Sequence, residues 1–526
     1  LTEEKATRAA VPGPGAWKAV RTVVTSRRLL SVALLSFSSG LPLGLVWIAI
    51  PTWMAQAGID IKVIGLFTLA QAPWTFKLLW SPTMDRYPPP FLGRKRGWIL
   101  VSQVALVVLG LLLSGASDDP EAVWVIGGLA LAIAFASASQ DIAYDAYTVE
   151  VLLPEEHGAA VGARVALYRA AMLFSGGAVI TLAAYTSWKL VNLLLAISYV
   201  PFMFVTLKAP EPEVLPEPPK TLKDAVWGPF VGFLAQHRSL EILAFVVLYK
   251  LSDNLTQALT GPFLVQTGFG AVDVGLARTT IGQVAAIAGT FLGGLLTQSM
   301  GLGRALWIFG FLQLLSNLGY AAVAQVGVNR PLMYAAQAFE LGSTGLGSGA
   351  FGVLLLRLTQ KRFSATQYAL LSSLFTISRV LAGPVAGLAA DAMGWRDFFI
   401  LTVLTGVPGM VMLARFVPWG VREPDFTVEA PKWGDPVSRA TLVARGLLGG
   451  LLTAVAGLVL LAALGAIGGF RGGQGFDLFG AALSILSPRG FADWLSAAGL
   501  ILFAAAGGLA TAATIAARRG LRSDLS

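Results

Sequence analysis

From Leu29 onward the chain alternates long apolar runs with short polar breaks, and most runs approach or exceed twenty residues. The hydrocarbon core of a bilayer needs about 20 apolar residues per helical crossing. The pattern therefore predicts spanning α-helices over roughly 29–54, 62–84, 98–115, 122–146, 159–185, 188–207, 239–266, 272–299, 303–325, 331–357, 364–390, 396–417, 440–467 and 491–516, fourteen in all. The polar helix faces that a soluble helical protein would require are missing.

The longest polar interruption among the first twelve spans is 208–238, after the sixth. It separates a six-helix half, 29–207, from a second, 239–417; a linker, 418–439, precedes two further spans within 440–516 and a tail, 517–526. The Pro/Glu-rich beginning of 208–238 reads as an extended connection. "LKDAVWGPFVGFLAQH" reads as an amphipathic helix on the membrane surface, interrupted at Gly228–Pro229. A repeat underlies the two halves. "FSGGAVITLAAYTSWK" (174–189) aligns without gaps to "LAGPVAGLAADAMGWR" (381–396), pairing Gly176 with Gly383, Ala183 with Ala390, Trp188 with Trp395 and Lys189 with Arg396. The two segments belong to the fifth and eleventh spans, six helices apart.

Composition agrees: 55% of the 526 residues are hydrophobic and only 13% charged, with mean hydropathy +0.70, the profile of a polytopic membrane protein. With no Cys and only His157 and His237, thiol catalysis, disulfides and Cys/His metal sites are excluded. The net charge of +9 does not point to nucleic acid, because the basic residues flank the apolar runs and so set topology. Segment 1–28, with Lys5, Arg8, Lys18, Arg21, Arg27 and Arg28, is placed in the cytoplasm, as are loop 85–97 and the tail with Arg518, Arg519 and Arg522; the acidic loop with Asp118, Asp119 and Glu121 falls outside. Both termini are expected in the cytoplasm.

Charge is concentrated in "WSPTMDRYPPPFLGRKRG" (80–97). Asp85 at a helix end can pair with a basic residue or a neighbouring helix N-terminus, closing one side of the bundle in one state and releasing it in another. Asp85, Arg86, Gly93, Arg94, Lys95 and Arg96 resemble the loop between spans two and three of the major facilitator superfamily, with "YPPPFL" inserted. "GGLLTQSMGLGRAL" resembles a worn second copy, with Gln298 in the Asp position and Arg304 kept. "FKLLWSPTMDRYPPPFLGRKRGW", "SASQDIAYDAY", "LYKLSDNLTQALTGPFL" and "FSATQYALLSSLFTISRVLAGPVAGLAADAMGW" resemble the AmpG-type muropeptide permeases of that superfamily over residues 30–418. The resemblance implies an all-α polytopic fold of two six-helix halves plus two extra C-terminal helices, in a bacterial inner membrane. It also implies alternating access and proton-driven import of anhydromuropeptides, disaccharide-peptide fragments bearing sugar rings, carboxylates and amides, with the lipid bilayer and protons as the other partners.

In this superfamily spans one, four, seven and ten line the central cavity. An ionisable residue at mid-span costs about 2.5–3.5 kcal/mol on insertion scales, so it needs a partner or water. Asp141 and Asp145 lie one turn apart on span four, beside Gln140. Two carboxylates that close disfavour joint ionisation, which suits a proton carrier; salt bridges to Arg164 or Arg169 are the structural alternative. Glu150, nearer the end of the span, reads as a gate or a loop residue. Lys250 lies about 18 Å deep at 1.5 Å per residue, with Asp253 on the same face. The two either neutralise each other or present a cation to an acidic substrate. Glu340, about 14 Å deep and with no basic residue within a turn, is the strongest proton-coupling candidate. Lys77, Arg169 and Arg379 suit an anionic ligand or neighbouring carboxylates. These four cations balance the four acids, a set that favours neither a strongly anionic nor a neutral cargo. Trp47, Trp74 and Trp80 suit sugar stacking or packing, and "GSTGLGSGAFG" on span ten suits close helix packing.

The expected function is proton-coupled import by a monomer with no cofactor beyond the proton gradient. Rival readings keep the fold and change the cargo to acetyl-coenzyme A or an iron-siderophore, or remove transport in favour of sensing. No H-E-x-x-H, G-x-S-x-G or Cys nucleophile supports an enzyme.

Overall fold

The computed structural model describes residues 25–59, 67–117, 119, 122–212, 219, 221–424, 426, 435–471 and 475–520. Most of the N-terminal segment, the start of the second span, most of the acidic loop with Asp118 and Glu121, parts of both linkers and the end of the tail lie outside them. Among the described residues eleven helices are long and apolar enough to cross a membrane.

The three remaining spans are Ser364–Met393 and two that are broken. The second is divided into Ala72–Phe76, a short turn Lys77–Leu79 and Ser81–Arg86. The seventh consists of Ser239–Leu248 and Leu251–Thr267. Broken helices at membrane depth are tolerated where protein or a cavity satisfies the freed backbone groups, and each break carries a lysine, Lys77 or Lys250.

The local sequence explains where helices begin and end. Ser26 caps Arg27–Gly44 by accepting from the Leu29 N–H at 3.4 Å. Asn329 caps Arg330–Leu358 by accepting from Leu332 N–H at 3.0 Å, with Pro331 in the first turn, where a proline forfeits no helical bond. Spans eight and nine are joined by the single residue Gly301, φ +90°, and spans eleven and twelve by Gly394, φ +79°. Only glycine enters that region without strain, so helix can follow helix with no loop.

The chain forms two compact units. Unit one, Leu1–Ala225 with Leu240–Asp425, contains both six-helix halves. One core gathers Leu41, Trp53, Leu106, Ile133 and Tyr199 of the N-terminal half; another gathers Phe263, Tyr320, Met333 and Phe399 of the C-terminal half. Glycines let backbones touch: Gly158 and Gly162 of span five meet Gly294 and Phe291 of span eight, and Gly345 and Gly349 of span ten back onto span eight at Gly289 and Gly293. The glycine run on span ten thus serves close packing.

Unit two comprises Val226–Ser239 and Phe426–Ser526. Helices Arg439–Arg471 and Phe491–Arg519 pack through Gly446, Gly450 and Gly508. Trp227 and Val231 pack against Leu442, Ala512 and Ala516. They belong to helix Leu222–Leu234, which continues through Gly228–Pro229. The expected interruption is therefore absent: a proline removes one backbone bond, and the burial of Trp227 and Val231 on both sides of it holds the helix together.

Candidate functional site

Arg94, Lys95, Arg362 and Glu150 gather at one end of the twelve-helix bundle around Asp85, one residue beyond the expected second span. The Asp85 carboxylate accepts from Lys95 Nζ at 2.6 Å and Arg94 Nη2 at 3.1 Å. It also accepts from the Thr366 N–H at 3.0 Å and hydroxyl at 2.8 Å, capping the start of span eleven in the opposite half. Glu150 accepts from Ser364 Oγ at 2.5 Å and lies 3.6 Å from Arg94, which also donates to the Arg362 carbonyl at 3.0 Å. Burial disfavours the Asp85 charge, yet Lys95 and Arg94 outweigh it and hold the carboxyl below its ordinary range. Arg86 instead stacks over Tyr87 at 5.1 Å, and Gly93, φ +71°, turns the loop toward Arg94.

The repeat-related position performs the same task without charge. Gln298, at the end of span eight, accepts from the Ala159 N–H at 3.0 Å and donates to the Glu155 carbonyl at 2.6 Å, capping span five of the other half. The two halves are thus latched at this basic end. At the far end, bonds run within each half: Trp188 Nε1 donates to Gln56 at 3.3 Å and Trp395 Nε1 to Gln266 at 3.1 Å. The tryptophans matched by sequence alignment therefore make matching contacts, each tying the head of a sixth helix to the end of a first.

Mid-bundle, the N-terminal half holds its carboxylates tightly. Asp145 bonds Lys77 Nζ at 3.3 Å on one oxygen and Arg164 on the other. The Arg164 guanidinium also lies over the Tyr144 and Tyr368 rings, at 5.1 and 5.6 Å. Asp141 accepts from the Ser39 hydroxyl and, at 3.5 Å, from Tyr168. Gln140 is fully buried and donates to Ser38 at 3.0 Å. Trp47 stands edge-on to Trp74, centroids 6.1 Å apart, packed against the half's core.

In the C-terminal half, Lys250 sits at the break of span seven and donates to Asp253 at 3.1 Å, to Gln313, and to the Thr344 carbonyl at 3.4 Å. Both charges are turned toward each other in this state. Glu340 is also buried, at 1% exposure, but has different company: Gln257 Nε2 and Thr344 Oγ1 donate at 3.3 Å and Tyr320 at 3.4 Å. Beside it opens a cavity of about 260 Å³ lined by Arg278, Arg379, Gln257, Gln283, Gln337 and Glu340.

The site residues thus divide into groups. Asp85, Arg94 and Glu150 come together, as do Lys77, Asp141 and Asp145, and Glu340 with Arg379. Arg169, on span five of the opposite half, is not among the described residues that line that cavity. Sequence reasoning missed Arg278, because it sits six residues from the start of span eight, where a cation passes as an interfacial anchor. It also treated the charges within the spans as balanced. With Arg164 and Arg278 added, six cations face four acids, an excess of two positive charges.

The Major Facilitator Superfamily matches residues 32–383. The chain is 43% identical over 382 residues to the anhydromuropeptide permease of Escherichia coli K12, covering 72% of this chain and 78% of that protein. It is 28% identical over 397 residues to putative transporter AmpG 4 of Rickettsia felis, covering 73% and 95%. Among solved structures, a bacterial homologue of the iron transporter ferroportin in an outward-facing state matches with TM-score 0.57 at 15% identity, covering 74% of this chain and 98% of that one. The proton:xylose symporter XylE matches with TM-score 0.53 at 12% identity, covering 76% and 97%. These structural matches show the shared fold. The chain is a multi-pass membrane transporter that belongs to the Major Facilitator Superfamily and, within it, to the AmpG-type permeases.

Proposed function

We propose that the protein imports anhydromuropeptides across the bacterial inner membrane, driven by the proton gradient, by rocking of halves 29–207 and 239–417 about a central cavity. The basic end, both termini, the connection 208–238 and the linker 418–439 face the cytoplasm, where the positive-inside rule puts Arg94, Lys95 and Arg96. The latched state is then closed inward, and the cavity beside Glu340 is the loading site. A monomer suffices, since both latches form within one chain.

The observation that carries this reading is Glu340: a carboxyl withdrawn from water, bonded by neutral donors, beside a cavity walled by amides and guanidiniums that suit a peptide bearing carboxylates. Glu340, with Asp141 across the bundle, carries the proton, while Asp145, expected in the same role, is clamped by Lys77 and Arg164. Arg379 and Arg169 face the cargo; Lys77, Lys250, Asp253, Gln140 and Trp47 complete its surroundings as the halves rearrange. Asp85, Arg86, Gly93, Arg94 and Glu150 gate the inner side.

Because the Asp85 carboxyl lies below its ordinary value of about 3.9, its contribution is present at any higher pH. It is lost only as pH falls through that depressed value. The inner latch therefore stays charged under physiological conditions, leaving the proton gradient to act on Glu340 and Asp141.

The test is uptake of labelled anhydromuropeptide by purified protein in liposomes, with and without an inward proton gradient. Saturable accumulation that collapses with a protonophore supports both cargo and coupling. Acetyl-coenzyme A belongs in the same assay, because unpaired guanidiniums also suit a more highly charged anion; its uptake in place of the muropeptide would overturn the cargo assignment.

A further inference from the structure

The cavity contains cations that the rest of the bundle does not neutralise. Among the described residues, Arg169, Arg278 and Arg379 make no hydrogen bond or ion pair, whereas Lys77, Arg164 and Lys250 all hold carboxylates. Among the described residues Glu340 is the one acid lining the cavity, and its oxygens accept from Gln257, Thr344 and Tyr320. Arg278 and Arg379 are exposed and line the cavity, and an unpaired guanidinium within a span requires water or a ligand. Space is also reserved for one of them. A methyl group added at Gly261 would strike the Arg278 guanidinium, so glycine at that point of span seven lets the Arg278 head reach the cavity from span eight.

We propose that Arg278 and Arg379 form a carboxylate subsite for the peptide portion of the cargo, with Gln257, Gln283 and Gln337 reading its amide groups. This rests on the cargo assigned under the proposed function. A guanidinium presents a planar fork of donors matched to a carboxylate, and two of them accommodate two carboxylates. The volume, about 260 Å³, lies below the roughly 300–1,000 Å³ of sites that enclose a small molecule. It takes the acidic end of a glycopeptide and leaves the sugars elsewhere.

The experiment measures dissociation constants for the full-length protein in lipid nanodiscs. Its probes are the labelled anhydromuropeptide, the same molecule with its carboxylates amidated, and the disaccharide without peptide. The wild type binds the parent, and amidation weakens binding about 10- to 100-fold, as loss of charge-assisted hydrogen bonds predicts. Arg278→Gln and Arg379→Gln weaken the parent similarly yet leave the amidated ligand little changed; Arg278→Lys recovers part of the loss. Gly261→Ala, acting by displacing Arg278, shows the same selectivity for the charged ligand. Amidation that leaves the wild-type affinity unchanged overturns the subsite whatever the variants do. Failure of the wild type to bind any glycopeptide overturns the cargo reading, and the subsite with it. Binding of the parent and of the bare disaccharide with equal strength removes the peptide role alone.

Discussion

In the N-terminal half Asp145 is clamped between Lys77 and Arg164. In the C-terminal half Glu340 meets only Gln257, Thr344 and Tyr320, while Arg278 and Arg379 stand without carboxylate partners among the described residues. The halves share matched contacts at Trp188 and Trp395, yet they surround these two acids differently. At Asp145 the charge is satisfied by two cations of the same half. At Glu340 the acid is held by neutral donors, apart from the Arg278 and Arg379 guanidiniums that line the same cavity. Similar backbones therefore surround their buried acids with different partners.

The sharpest way to break this comparison is to neutralise one acid on each side. Asp145→Asn leaves Lys77 and Arg164 without their acid and is expected to lower stability by about 3–5 kcal/mol, read as thermal unfolding in detergent. Glu340→Gln removes no ion pair and should leave the unfolding temperature within error of the wild type. Equal losses would mean that Glu340 is a structural acid after all.

Transport reverses the order. One pH unit is worth about 1.36 kcal/mol per proton, or a tenfold accumulation. In proteoliposomes, Glu340→Gln is expected to bring accumulation under such a gradient back to about equality while still permitting exchange of cargo down its own gradient. Retained accumulation would move the coupling to Asp141.

The two latches sharpen the comparison at the basic end, where Asp85 works by charge and Gln298 by amide. Gln298→Ala forfeits two neutral bonds, expected to be worth about 1 kcal/mol in net balance, and about fivefold more of the state open at that end. Spin labels on either side of Gly158 and Gln298 would report it as a longer distance. The smallest effect belongs to the tryptophan pair. Trp188→Phe and Trp395→Phe each lose one solvent-accessible bond, about 0.5 kcal/mol, and should shift thermal unfolding equally if the repeat is energetic as well as geometric.

Much of this was legible along the chain. Apolar runs gave the number and order of the spans because a bilayer demands length and hydrophobicity locally, and the charged interruption at Asp85 marked one end of the bundle. Glu340 stood out because an acid at mid-span with no cation within a turn is unusual in any context. Arg278 did not, since six residues from the end of a helix an arginine normally snorkels to the interface. It becomes a cavity residue only because Gly261, on another helix, leaves room for it.

Along the chain alone it could be read that the membrane is crossed repeatedly, that a long polar break separates two sets of six spans, and which ionisable residues lie within spans. These are properties of single helices, whose residues need only water or lipid as a reference. Which charges cancel was decided by tertiary structure alone. Asp145 is brought to Lys77 and Arg164 across 68 and 19 residues of chain, and Asp85 to Thr366 across 281. Coulomb energies depend on separations of a few ångströms between side chains on different helices, and those separations are set only when the helices pack.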